Sequence, residues 1–219
     1  MTQALEPTPA LEVVVTCPVV SFRNDLYAGL QVDLPCPPPS TVGGMLAATV
    51  GGWQHVPLHT RFAMTFRAEG TGVDLETYHP LAAPGVPTNT TIKDRNFLAQ
   101  ITLTLWLTSE IDLWAHAFRR PVCPLRLGRS QDLATARTTP TTLHPGPGTQ
   151  GHAVLPVDLP ETTGTRMRLS TAISFDRTRT RWDTYQYART GAPPNQTIDA
   201  GQVTASGQAV ALLPPVHPA

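Results

Sequence analysis

The sequence has little charge and almost no lysine. Charged side chains make up 15% of its 219 residues, against roughly 25% in ordinary globular proteins, and Lys93 is the only lysine. Cysteine is scarce too: Cys17, Cys36 and Cys123 are an odd, widely spaced set without a CxxC pair. That pattern excludes a disulfide framework and a structural zinc, and it fits a reducing compartment. No apolar run approaches the roughly 18 residues of a membrane span. Residues 1–10 lack the basic-then-apolar pattern of a secretory signal. The expectation is a cytoplasmic protein with no membrane partner. GxSxG, HExxH and P-loop patterns are absent. His55 and His59 are four apart, but Pro57 between them spoils the helix that zinc ligation would need. No metal site, cofactor or catalytic set is therefore expected.

What the sequence does have is proline and unevenly placed arginine. Its 23 prolines are roughly twice the usual share of about 5%, so loops and short strands should outnumber helices. Net charge is zero overall, yet from Arg119 to Arg189 eleven arginines face five acids. The first 110 residues carry five basic and nine acidic groups. Such asymmetry marks a surface facing a polyanion, and arginine's planar fork suits phosphates and stacks on bases. A GC-rich genome would give the same bias toward arginine.

Periodicity predicts a strand at 11–17, ended by Pro18, then a proline-rich loop over 18–39. A helix begins at Ser40, its predicted N-cap, with Val42, Met45, Leu46, Thr49 and Val50 at helical spacing and Gly51-Gly52 as the stop. Residues 61–68 read as a second strand. Residues 69–95 form a long excursion with little apolar periodicity, a length usually tied to disorder or function. A strand at 97–107, a helix at 111–120 and a strand at 124–127 complete a β-α-β-β-α-β order. That is the plan of a ferredoxin-like, RRM-like α+β domain. Residues 134–165 read as a linker or folded-back loop, and 167–175 and 181–187 as two further strands. The domain reading is 1–133, with an insertion at about 70–95, followed by a loop-rich β extension over 134–219.

Three constellations could carry chemistry. Ser40-Thr41-Val42-Gly43-Gly44 opens the first helix, where each glycine costs about 1 kcal/mol relative to alanine. Either a phosphate backbone approaches the helix N–H groups there, or the glycines let the helix pack closely on its sheet. Gly146-Pro147-Gly148-Thr149-Gln150-Gly151 satisfies GxGxxG literally, but the proline and the missing helix rule out a dinucleotide fingerprint. It is a turn, or a loop whose backbone touches RNA. Arg177, Arg179 and Arg181 share strand parity with Tyr185 and Tyr187. They form either a single-strand RNA face or a solvated hairpin with its turn near Thr180.

Phe22-Arg23-Asn24-Asp25-Leu26-Tyr27, followed by Pro37-Pro38-Pro39-Ser40-Thr41-Val42-Gly43-Gly44-Met45-Leu46, resembles the N-terminal signature of the CRISPR-associated Cas-five family. Two more blocks agree in order: Arg95-Asn96-Phe97-Leu98 with the strand after it, and Pro124-Leu125-Arg126-Leu127-Gly128-Arg129-Ser130, similar to that family's "LGR" turn. A looser likeness runs from Phe175-Asp176-Arg177 to Trp182 and Tyr185. The resemblance implies a subunit of a type I Cascade surveillance complex that caps the 5′ handle of the guide crRNA. It implies a β-hairpin thumb at 70–95 reaching toward the backbone subunit (Cas-seven type), and contact with the large subunit (Cas-eight type). Contact with target double-stranded DNA beside its recognition motif is compatible with it.

Carried over by motif position, Ser40, Thr41, Gly43 and Gly44 would line the handle site. Arg23, Lys93, Arg95, Arg129, Arg177 and Arg181 would meet phosphates. Tyr27, Gly128 and Ser130 complete the implied RNA-binding set. One branch of the family cleaves precursor RNA with a tyrosine and an adjacent Lys-His pair. Here Asp94 follows Lys93 and no Lys-His dipeptide occurs. Tyr27, His79 and Lys93 are the nearest candidates for such metal-free cleavage, but nothing in their spacing brings them together. A non-catalytic subunit is therefore expected; the rivals are a metal-independent endoribonuclease and a stand-alone RRM-like RNA-binding module.

Overall fold

A computed structural model describes residues 6–24, 26–27, 32–78 and 90–218. The chain opens with β1 (Thr8–Val20), in which Leu11, Val13, Val15 and Cys17 alternate into the core. β1 runs past Pro18, where the sequence predicted its end. On one side its pairing to β4 (Thr135–Pro145) already stops at Thr16. On the other the ladder to β3 (Thr91–Leu107) skips Pro18, opposite Gln100 with its φ of 49°. The missing N–H therefore breaks no regular bond.

Helix α1 (Pro39–Val50) starts one residue earlier than expected, and Ser40 is not its cap. Pro38 is the N-cap and Pro39 takes the first helical position, where a fixed φ is already helical. Ser40 instead lies in the first turn and its Oγ bonds Ser170 Oγ at 2.6 Å. The stop is as read: Gly51 is left-handed at φ 85°, and the Gly52 N–H returns to Ala47 O at 2.8 Å.

The excursion beyond residue 68 is a hairpin. β2 (Ala63–Tyr78) pairs antiparallel with β3 from Ala63↔Trp106 out to Tyr78↔Thr91. Its inner half buries Met64, Phe66, Leu103 and Leu105 under the helices. Residues 79–89, and with them His79 and the middle of the 70–95 insertion, lie outside the described residues.

After α2 (Ile111–Arg119), whose Trp114 is fully buried, the strand predicted at 124–127 does not form. The loop's donors go elsewhere: Val122 N–H to Thr49 O and Cys123 N–H to Ala48 O, satisfying carbonyls at the end of α1. Only an isolated Arg126↔Leu133 bridge remains. The fourth strand is β4, inside the threonine- and proline-rich stretch read as a linker. It pairs with β1 over nine positions, Thr8↔Leu143 to Thr16↔Thr135.

The remaining strands are β5 (Gly148–Thr149), β6 (Ala153–Pro156), β7 (Thr165–Ile173), β8 (Thr180–Tyr187), β9 (Thr197–Ile198), β10 (Gln202–Val203) and β11 (Ala209–Val210). The main sheet has the order β11-β10-β4-β1-β3-β2-β6-β8-β7, and its pairs are antiparallel; β5 and β9 form a separate pair. This is an α+β protein dominated by antiparallel sheet. The GxGxxG-like loop is structural: a Cβ on Gly148 would meet Ala209 N at 2.7 Å, and buried Gln150 bonds Thr163 through its side chain. The C-terminal segment straps the fold, with Leu213 N–H on Phe62 O and Val216 N–H on Thr60 O. Among the described residues, no helix is long and apolar enough to cross a membrane.

Candidate nucleic-acid interface

Two glycines open α1, and the fold treats them oppositely. A Cβ on Gly43 would come within 2.9 Å of the Trp53 ring and 3.1 Å of Val216, so Gly43 is needed for packing. A Cβ on Gly44 would meet nothing within 4 Å. Gly44 thus carries the helix penalty of about 1 kcal/mol with no packing reason for it.

Gly44 forms the floor where two cavities adjoin. One, of about 550 Å³, reaches Thr41, Ala48 and Arg126; the other, of about 530 Å³, reaches Phe175 and Arg177; both are lined by Ser40, Gly44 and Ile173. Among the described residues no carboxylate lines either one, so the two arginines set the sign of the groove. Phe175 stands on its rim with 64% of its surface exposed, its ring edge-on to that of His217.

The Arg177 wall is a hairpin turn. Asp176 accepts from Ser174 Oγ at 2.6 Å and from Thr178 Oγ1 at 2.8 Å, bonds that hold its carboxyl below the usual range, the Ser174 bond most of all. This turn places Arg177 at φ 57° and ends before β8 begins at Thr180. Arg177, Arg179 and Arg181 therefore do not share one strand face. Tyr185 and Tyr187 are buried, with hydroxyls on Thr171 Oγ1 and Phe66 O, and offer no ring to a base. Phe175 is the exposed ring in this region. Its place was not legible, because a hairpin turn and not strand parity positions it.

Of the residues singled out by sequence, Ser40, Thr41, Gly44, Gly128 and Arg177 come together at this groove. Gly128 sits at φ 104°, where a Cβ would press on Ser21 O at 2.9 Å. Its neighbour Arg129 is tied up internally. The backbone N–H and Nε of Arg129 bond Asp132 at 2.9 and 3.1 Å, and buried Asp132 also accepts from Ser21 N–H. Ser130 is an exposed turn residue beside them. Arg126, which the sequence reading passed over, is the guanidinium of that block that reaches the groove. Its signal was present, since Leu125 and Leu127 are buried on either side of it.

A second group lies at the hairpin. Exposed Arg23 donates to Tyr27 O at 3.5 Å, and its backbone forms an isolated β-bridge with that of Asp33, whose carboxylate accepts from Asn96 Nδ2 at 2.9 Å. Tyr27 is 45% exposed. Lys93 stands opposite Glu76 in the ladder, and Arg95 forms an ion pair with Glu76. Arg181 bonds Pro215 O and pairs with Asp183 at 3.7 Å. All three cysteines are free thiols, and burial pushes that of Cys36 up. Among the described residues, no group of His, Cys, Asp and Glu is placed to hold a metal ion.

These features define an α+β protein with a long hairpin and a basic groove across its first helix. The chain belongs to the family described as CRISPR-associated protein (Cas_Cas5), whose model matches residues 10–162. Among solved structures it resembles a chain described as "CRISPR RNA-guided surveillance complex", at 19% identity and a TM-score of 0.56, over 91% of this chain and 92% of that one. A CRISPR protein from Archaeoglobus fulgidus matches at 12% identity and a TM-score of 0.49, over 93% of this chain and 99% of that one. A chain described as "Crystal structure of Cas protein" matches at 16% and 0.47, over 85% and 96%. No curated protein matches the sequence.

Proposed function

We propose that this chain is a non-catalytic RNA-binding subunit of a CRISPR surveillance complex, and that it caps the 5′ handle of the guide RNA at the α1 groove. The observation that carries this reading is Gly44, a helical glycine facing open space between Arg126 and Arg177. A missing side chain there lets a sugar–phosphate backbone approach the helix. Ser40 and Thr41 supply hydroxyls, the arginines take phosphates, and Phe175 takes a base. Family membership supports the same reading.

The fold reading is ferredoxin-like, and the spatial order β4-β1-β3-β2 of the first four long strands supports it. The outer half of the β2–β3 hairpin is the thumb, directed to the backbone subunit (Cas-seven type), with the large subunit (Cas-eight type) as a further neighbour. Target double-stranded DNA would be met only in the assembled complex, in the cytoplasm.

Gly44→Leu fills the groove without touching the core. Its affinity for a labelled handle RNA should fall about tenfold, the equivalent of 1.4 kcal/mol, while the thermal melt should not fall and should rise slightly as the helix loses its glycine penalty. Unchanged affinity would remove the groove from the reading. In the same tubes, with EDTA present, the RNA should stay intact on a denaturing gel. Site-specific cleavage abolished by Tyr27→Phe would make the chain a processing enzyme instead.

A further inference from the structure

Among the described residues β6 covers the outer edge of β2 only at Met64 and Thr65, and the last bonds on that side are at Phe66, from its N–H to His152 O at 3.1 Å and from Tyr187 Oη to its carbonyl. From Arg67 outward, that edge has no partner strand among the described residues. Two cavities of about 680 Å³ each lie along it, and both are lined by Pro35, Thr71, Tyr187 and Arg189, so they form one cleft. This cleft shares no lining residue with the α1 groove.

Its two ends differ in chemistry. At one end stand Arg67 and His152, with Arg189 where the two cavities meet. Among the described residues Arg67 forms one ion pair, 3.9 Å to Glu69, with both side chains more than 60% exposed. Arg189 is exposed and makes no ion pair among the described residues. His152 is half-buried, and a backbone hydrogen bond at Arg189 reaches its imidazole. Desolvation first, and then the charge of Arg67, hold its imidazole below the usual value. At the other end is the half-buried ring of Phe97, which lies over Gly72 so closely that a Cβ there would sit 2.4 Å from it. Two carboxylates also line the cleft, but Asp33 accepts from Asn96 and Glu69 faces Arg67.

Cations at one end and an accessible ring at the other form the phosphate-and-base pattern of single-strand binding. We propose that the cleft is a second nucleic-acid site. It holds a short single-stranded segment with phosphates at Arg67 and Arg189 and a base against Phe97. The proposal rests on the reading of the chain as an RNA-binding subunit.

The test uses the full chain and a fluorescein-labelled oligouridylate, followed by anisotropy over a salt series. Arg67→Gln/Arg189→Gln should weaken binding about tenfold and lower the salt slope by about 1.4, two phosphate contacts at about 0.7 each. Gly44→Leu should weaken binding separately, and the two effects should add in log affinity. If the double variant keeps wild-type affinity and slope while Gly44→Leu is weakened, the cleft is lost and the groove stands. If the wild-type chain does not bind, both fall. An acidic peptide that binds the wild type and is lost in the double variant, where RNA is not, would assign the cleft to a protein segment and overturn the proposal.

Discussion

The inner and outer halves of the β2–β3 hairpin are one ladder with two environments. Inside, Phe66 is fully buried, its ring 5.8 Å from that of Phe22 and 6.5 Å from that of Tyr187, whose hydroxyl donates to Phe66 O at 2.8 Å. Outside, Val73, Leu75 and Ile92 are 62%, 68% and 71% exposed, although the hydrogen-bond register is unbroken from Gly70↔Ala99 to Tyr78↔Thr91. Backbone pairing alone thus carries the ribbon outward, while helix packing makes the inner half part of the core. A two-stranded ribbon without a covering layer is marginal by itself. Its apolar face gains burial only from something outside the described chain.

The largest effect that would sharpen this contrast is at Phe66. Phe66→Ala should cost about 3–5 kcal/mol, read as a shift in the urea midpoint at constant slope. A loss under 1 kcal/mol would mean that the inner half is not the keystone its burial implies. Next comes Tyr187→Phe, which leaves the buried Phe66 carbonyl without that donor. About 1–2 kcal/mol should be lost, with the near-ultraviolet dichroism of the aromatic core retained. The smallest effect belongs to Leu75→Ser, which should stay within about 0.5 kcal/mol of wild type in the isolated chain. A larger loss would break the comparison, because it would show the outer half already packed in solution.

Legibility followed burial. The inner halves of β2 and β3 announced themselves through alternation, since one face is apolar and the other is not. The outer halves were read as an excursion because a ribbon exposed on both faces needs no alternation. β4 was missed for a related reason. Apart from Ala136 its threonines alternate with no aliphatic side chain until Leu143, and Pro140 argued against a strand. That proline is tolerated because up to His144 the strand is an edge, β10 pairing only with His144 and Pro145.

At the candidate site, sequence drew attention to Ser40, Thr41 and the glycine pair but could not choose between packing and ligand approach. The answer differs for each glycine. Gly43 is answered by Trp53 and Val216, the latter 173 positions away in the chain, and Gly44 by empty space. Sequence selected Arg129 for a phosphate and passed over Arg126. A buried carboxylate three residues on, which also caps the Ser21 amide, decided otherwise.

By itself, then, the sequence determined the family, the strand–helix order through α2, and the glycine stop of α1. These rest on local chemistry: side-chain alternation, the fixed φ of proline, the left-handed freedom of glycine, and short motifs in order. Tertiary structure alone decided which strand follows α2, which arginines are free of internal carboxylates, and which glycine is packed. Each of those depends on a partner distant in the chain. Contact between distant segments is what a one-dimensional pattern does not record.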